Sequence, residues 1–280
     1  MLYVPSAGSD FGWKLTNQGS TRPSGSAMGT TTTPGNNAKG SWVQCFSAIA
    51  NDVYGIFIDI NASGASGQSR DAIMDIGIDE AGGSSYTVKV PDLLCSMTIT
   101  PNKGGTFYFF PLKIKAGSTI AARSSVNNAT VTTISVFITL YGLPRNPEAV
   151  RTCSYIIAFG ITAASSSGTA ITPGTTSEGS WTSMGTTDVS YWYWQQGFGF
   201  ANATTTDRNY ALDMGLGDGT NMDVVITDQI WGCDTANRMN NYAVFGCERI
   251  CKTSVGIYVR AQCSGTLSTG YSAAVYAGGG

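Results

Sequence analysis

A segment near the start of the chain returns about halfway along it. GTTTTPGNNAKGSW, from Gly29 to Trp42, is matched by GTAITPGTTSEGSW, from Gly168 to Trp181, at an offset of 139 residues. The match continues downstream in unbroken order. Arg70 with Asp75-Ile76-Gly77-Ile78 recurs as Arg208 with Asp213-Met214-Gly215-Leu216, and Asp92 before Leu93-Leu94 recurs as Asp228 before Gln229-Ile230. Late in each copy Arg123 meets Arg260, and Tyr141-Gly142 parallels Tyr276 before Ala277-Gly278. A duplication of this length predicts two units that each close a core, and it sets the domain reading before any local motif is considered. Residues 1–28 are expected to form an N-terminal arm, 29–142 the first domain, 143–161 a linker with an edge strand, and 162–280 the second domain.

Within each unit the apolar residues alternate, as in Ile56, Ile58 and Ile60 or Ile134, Val136, Ile138 and Leu140, which is the period of a strand with one buried face. Clusters of Gly, Pro, Asn and Ser break these runs at short intervals, and helical periodicity is absent. The expected fold is all-β: two tandem homologous antiparallel β-sandwiches, jelly-roll-like, with an immunoglobulin-like sandwich as the competing architecture. The arm has too few apolar residues for a core of its own. Phe11, Trp13 and Leu15 alternate, so an extended arm presents them on one side, against its own domain or a neighbouring subunit.

Charged residues make up 12% of the chain, against roughly 25% in an average soluble protein. Disorder does not follow, because 13 Tyr, 11 Phe and 6 Trp supply abundant core. The net charge of −2 and the absence of a Lys/Arg run argue against nucleic acid as a partner. No signal-peptide pattern or long apolar span is seen, so no membrane partner is expected. Histidine is missing altogether, which removes Ser-His and Cys-His nucleophilic pairs and the commonest zinc ligand. A carboxylate pair, a Ser-Lys pair or a metal held only by oxygen and sulfur would remain, but no spacing singles one out; the expectation is a chain that is not an enzyme and uses no cofactor.

Seven cysteines, an odd number, suit thiols packed in a core. The sharper alternative is that Cys233, Cys247, Cys251 and Cys263 surround one zinc or pair as disulfides. The repeated Gly-Ser-Trp is read as a fold constraint, with Trp42 and Trp181 anchoring the next strand in the core, rather than as a sugar-stacking platform. Arg70, Asp75 and Arg123, with Arg208, Asp213 and Arg260, are read as structural ion pairs; calcium held by Asp75 and Asp79, or by Asp213, Asp218 and Asp223, is the alternative. Tyr191-Trp192-Tyr193-Trp194 has no counterpart in the first unit. On a strand its side chains alternate, so one pair is expected to be exposed or buried by a partner; an inter-subunit contact ranks ahead of a carbohydrate stack and of a two-faced internal strand.

The run Asp75-Ile76-Gly77-Ile78, Ala81-Gly82-Gly83, Val90-Pro91-Asp92-Leu93-Leu94, Phe109-Phe110-Pro111-Leu112 and Lys115 through Arg123 resembles virion structural proteins of tailed bacteriophages. In the second unit only Asp213 to Gly215, Asp228 and Ile257 to Arg260 keep the pattern. The resemblance implies a particle component located in the virion, a decoration or cement protein whose partners are the major capsid protein or other virion proteins. Low charge and abundant Ser, Thr and Gly suit repeated contacts with identical neighbours around a symmetry axis, so a homo-oligomer such as a trimer is expected. The alternative is a head or tail spike that binds host surface polysaccharide through exposed Trp192 or Trp194. A depolymerase using an acidic pair is the weakest reading.

Overall fold

The computed structural model describes residues 2–3, 14–15, 29–63, 71–96, 105–127, 133–142, 151–200, 208–233, 239–241, 246–265 and 271–280. The chain is built almost wholly of strands, as the alternation predicts; the one helical turn among the described residues is the 3-10 turn Ala163–Ser165.

Two short strands come from the arm, β1 (Leu2–Tyr3) and β2 (Lys14–Leu15). The first half then contributes β3 (Thr30–Thr32), β4 (Gly35–Asn36), β5 (Val43–Phe46), β6 (Gly55–Ser63), β7 (Asp71–Asp79), β8 (Thr87–Ser96), β9 (Thr106–Phe110), β10 (Thr119–Val126) and β11 (Thr133–Tyr141). The second half contributes β12 (Tyr155–Phe159), β13 (Ile161–Thr162), β14 (Ser167–Ile171), β15 (Thr182–Thr186), β16 (Tyr191–Phe200), β17 (Arg208–Gly217) and β18 (Met222–Cys233). It closes with β19 (Met239–Asn241), β20 (Gly246–Cys251), β21 (Gly256–Cys263) and β22 (Tyr271–Gly279).

In the first half β3-β11-β6-β9 form one sheet and β5-β10-β7-β8 the other, with β4 running parallel to the end of β10. In the second half the sheets are β14-β22-β16-β20 and β15-β21-β17-β18, the latter extended by β19. The order is the same in both halves, and it is the crossed connectivity of an eight-stranded jelly roll rather than that of an immunoglobulin-like sandwich. Between the sheets of the first half lie Ile56, Ile58, Ile60, Ile134, Val136, Ile138 and Leu140, all buried. In the second half Trp194, Phe198, Tyr210, Trp231 and Tyr271 fill the corresponding space. Larger side chains thus replace the isoleucines there.

The arm is tied within the chain. β1 pairs with β20 of the second half, Leu2 opposite Cys247, while β2 pairs with β11 of the first, Leu15 opposite Leu140. Phe11 and Trp13 lie outside the described residues. β12 runs antiparallel to the end of β22 and carries the apolar run Tyr155–Phe159 into the same sheet.

The two halves pack asymmetrically. The β8 and β9 edge of the first sandwich abuts the outer face of the β14-β22-β16 sheet of the second. Tyr193 Oη donates to the Phe109 carbonyl (2.5 Å), and the Phe109 amide donates to Gln195 Oε1 (3.2 Å). Tyr276 Oη accepts from the Leu94 amide (2.6 Å) and lies 3.0 Å from the Asp92 carbonyl, to which it donates. Polar side chains of one sandwich therefore satisfy main-chain groups on the edge strands of the other, which is what allows two sheet edges to be buried. Tyr108, Phe110, Tyr193 and Tyr276 interlock in edge-to-face contacts across the seam, at ring separations from 5.2 to 6.1 Å.

Candidate functional site

Two structurally equivalent clusters sit on the outer faces of the β5-β10-β7-β8 and β15-β21-β17-β18 sheets. In each, the strand beside the aspartate-bearing one, at the edge of the sheet, skips a register opposite that aspartate: β8 places Pro91 and Asp92 against Asp75, and β18 places Thr227 and Asp228 against Asp213. The extra residue adopts positive φ, +51° at Asp92 and +48° at Asp228, the left-handed conformation that an Asp tolerates better than most residues. The aspartate pins this bulge. Asp75 Oδ1 accepts from the Asp92 amide (2.9 Å), and Asp213 Oδ1 accepts from the Asp228 amide (2.8 Å).

The other oxygen of each aspartate takes an arginine from the neighbouring strand, Arg123 Nε at 2.8 Å from Asp75 Oδ2 and Arg260 Nη2 at 2.8 Å from Asp213 Oδ2. Each guanidinium in turn lies 4.4 Å from the centre of an indole ring, Arg123 under Trp42 and Arg260 under Trp181. The indoles lie across glycines. A Cβ on Gly77 would come within 2.6 Å of Trp42, and one on Gly215 within 3.1 Å of Trp181. This explains why Trp, Gly, Asp and Arg recur together in the sequence.

Both tryptophans are only partly buried, so the expected core anchoring is corrected: each indole caps an arginine on the outside of its sheet. The ion pair of Asp213 is with Arg260, while Arg208 starts the same strand further along; Arg70 lies outside the described residues. Among the alternative calcium ligands, Asp79 accepts from the Ala81 and Ser85 amides, Asp218 from the Thr220 and Asn221 amides, and Asp223 pairs with Arg249. Each is committed to its own turn or edge, and they do not converge.

The clusters differ at one position. Lys39 Nζ bridges Asp75 Oδ1 and Asp92 Oδ1, at 2.7 Å from each, whereas Glu178 takes the equivalent place beside Asp213 and Asp228. The first cluster balances two acids with two bases. The second gathers three carboxylates, whose oxygens lie within 4.8 Å of one another, around Arg260, which contacts both Glu178 and Asp213. Burial, followed by the hydrogen bond with Asp213, raises the pKa of the Glu178 carboxyl. These are the metal-capable groups that come together among the described residues, and Arg260 already occupies part of that charge.

The cysteines do not gather in this way. Cys251 and Cys263 lie in the core of the second sandwich and Cys247 on strand β20, all three as thiols; the side chain of Cys233 lies outside the described residues. Burial pushes the Cys45 thiol up to about 12.

The aromatic strand β16 departs furthest from expectation. Tyr191, Trp192, Tyr193 and Trp194 are all at most 2% exposed, so neither a subunit contact nor a sugar can reach them. Tyr191 and Trp194 belong to the core of the second sandwich, while Trp192 and Tyr193 join the cluster that includes the first half. A register shift between Tyr191 and Tyr193 accompanies this division. The partner that covers the outer pair is the same chain, the two-faced internal strand that the sequence reading placed behind a subunit contact. Arg151 stacks on Trp192 at 4.5 Å, closing its remaining side.

Asp71 is the other unusual group at the seam. It is fully buried, and Ser272 Oγ of the second half donates to its Oδ2 (2.6 Å). Burial pushes its carboxyl from an ordinary 3.8 up to about 7. The folded chain therefore binds this proton more tightly than the unfolded chain. The associated stability is complete below the ordinary carboxylate range and is lost as pH rises towards 7. Asp71→Asn is expected to flatten this part of the profile, checked by comparing melting temperatures of the two chains between about pH 4 and pH 8. An unchanged slope would remove Asp71 as its source.

No protein-family model matches the sequence, and no curated protein matches it. Several solved structures align with the chain. PNGase F, a glycosylasparaginase from Flavobacterium meningosepticum, aligns over 92% of this chain and 94% of its own at 12% identity, with a TM-score of 0.37. The Cowpea mosaic virus top component, naturally occurring empty particles, aligns over 96% and 95% at 11% identity and a TM-score of 0.31. The CBM22-1–CBM22-2 tandem domain of Xyn10C from Paenibacillus barcinonensis aligns over 88% and 85% at 13% identity and a TM-score of 0.26. The expectation that this chain is not an enzyme is corrected by the first of these, a glycosylasparaginase, which is an enzyme. At these scores the likenesses assign no activity, and the fold assignment rests on the strand order itself.

Proposed function

We propose that this chain is a structural protein of a virus particle, a decoration or cement protein on the capsid of a tailed phage, built from two tandem copies of one jelly roll. The observation that carries this reading is the buried seam: it joins two sandwiches into one block, with edge strands of the first closed by side chains of the second. Such a block can bridge neighbouring capsid subunits without flexing between its halves. The low charge, 12% of residues, leaves extended hydrogen-bonding β surfaces suited to repeated contacts, and many copies on one particle add avidity to weak individual contacts. Its partners are then the major capsid protein or other virion proteins, and its place is the virion. A polysaccharide-binding spike is not favoured, since the tryptophans that suggested it are buried.

Recombinant protein added to particles stripped of it is expected to co-sediment with them to saturation and to raise their disruption temperature. Protein that stays in the supernatant and leaves that temperature unchanged at saturating concentration would overturn the assignment.

A further inference from the structure

The contact between the halves is head-to-tail: an edge of one sandwich meets a sheet face of the next. Such a contact uses two different surfaces, so each sandwich carries one of each, and one edge and one face take no part in this contact. The unused edge belongs to the second sandwich, where β18 and β20 occupy the places of β8 and β9. Among the described residues β19 covers only the end of β18, opposite 231–233, and β1 covers only 246–247 of β20. Met222 to Ile230 and Glu248 to Cys251 have no strand partner on that side among the described residues, and the Arg249–Asp223 ion pair links them.

This edge carries charge at Asp223, Asp228, Glu248 and Arg249, as an edge exposed to water usually does, but large apolar side chains stand exposed among them. Ile230 stands opposite Ala211 as Leu94 stands opposite Ile73, in equivalent registers two residues ahead of Asp213 and Asp75. Leu94 is fully buried beneath the second sandwich, while Ile230 is 43% exposed. Ile250 on β20 is 70% exposed and Val224 is 39% exposed. Ile230 thus stands exposed where its counterpart is buried at an interface, whereas Val224, opposite Gly215 as Val88 is opposite Gly77, is exposed in both sandwiches.

The unused face is the outer side of the β3-β11-β6-β9 sheet. Residues between the core-facing isoleucines point outward there, Phe57 and Asp59 on β6 and Ser135 and Phe137 on β11, all half-buried. Their counterparts in the second sandwich, Gln195, Gly197, Ser272 and Ala274, belong to the strands that meet the first sandwich.

We infer that the β18/β20 edge of one chain docks on the outer face of the β3-β11-β6-β9 sheet of a second copy, repeating between chains the head-to-tail contact made within one. Repetition of such a contact builds a closed ring or an open filament, according to the rotation at each step. The inference deepens the subunit-contact part of the proposed function and can be tested without particles.

Two variants separate the surfaces: Ile230→Asp with Ile250→Asp disables the edge, and Ser135→Arg disables the face. Sedimentation velocity of the wild-type chain over a range of concentrations is expected to show masses that are multiples of 29.3 kDa, and each variant alone should fall to 29.3 kDa. An equimolar mixture of the two variants is expected to form dimers and nothing larger, because each pair then has one intact edge and one intact face. Circular dichroism melts establish that both variants fold, and Phe137→Arg provides a second face variant if Ser135→Arg does not. A wild-type chain that stays at 29.3 kDa at every concentration overturns the inference, as do variants that keep the wild-type mass or fail to complement each other. A wild-type chain that is monomeric alone yet binds stripped particles through Ile230 and Ile250 would give the edge to another virion protein, again overturning the second-copy assignment while leaving the proposed function standing.

Discussion

Tyr276→Ala is expected to destabilise the chain by about 3–5 kcal/mol, the range for removing a large buried aromatic side chain, and to split its unfolding into two transitions. The ring is fully buried and makes edge-to-face contacts with Tyr108 at 5.2 Å and Phe110 at 6.1 Å, both in the other half. Its hydroxyl is the acceptor for the Leu94 amide and a donor to the Asp92 carbonyl. Truncation therefore opens a cavity and leaves two edge-strand groups without partners in the middle of the seam. Tyr276→Phe keeps the volume and removes only the hydroxyl, so it should cost about 1–3 kcal/mol, the penalty for a buried polar group left unmade. Differential scanning calorimetry distinguishes these outcomes. A single transition with a loss below about 1 kcal/mol in Tyr276→Ala would mean that the halves are not held together here.

The second large effect is expected at Asp75, and its size should differ from that of the same change at Asp213. Asp75→Ala removes the carboxylate shared by Lys39, Arg123 and the bulge amide of Asp92, leaving two cations facing one acid on a largely covered surface. Breaking a buried pair in this way costs about 3–5 kcal/mol. Asp213→Ala also frees a bulge amide, but Arg260 keeps Glu178 and Asp228 remains nearby, so an existing excess of acid is reduced, where Asp75→Ala unbalances a neutral cluster. Its loss should be smaller by at least about 1 kcal/mol. Chemical denaturation of the two variants measures the difference directly; equal losses would show that the bulge hydrogen bond, not the charge, dominates both clusters.

The repeated residues were legible as a set before their geometry was known. Trp42, Asp75 and Arg123 recur with Trp181, Asp213 and Arg260 because one indole, one guanidinium and one carboxylate must meet across three strands in each half. The direction in which Trp42 and Trp181 face was not legible. A tryptophan reads as core by its apolar area, and only the cross-strand arginine and the glycine beneath it reveal that the ring lies outside the sheet. The exchange of Lys39 for Glu178 stands in plain view in the aligned repeat, yet its meaning depends on Asp92 and Asp228, far away in the chain, closing on the same point.

Alternation of apolar residues and the placement of Gly, Pro and Asn act over a few neighbours, so an all-β chain with short strands could be read from the amino acids alone. What covers the Tyr191–Trp194 strand could not. Period two shows that its side chains point both ways, but whether the second side meets water, a sugar, another subunit or the same chain is decided by how two sandwiches dock. That docking depends on the few edge-strand amides and carbonyls that Tyr193, Gln195 and Tyr276 happen to reach, contacts between residues more than 80 positions apart that leave no local trace.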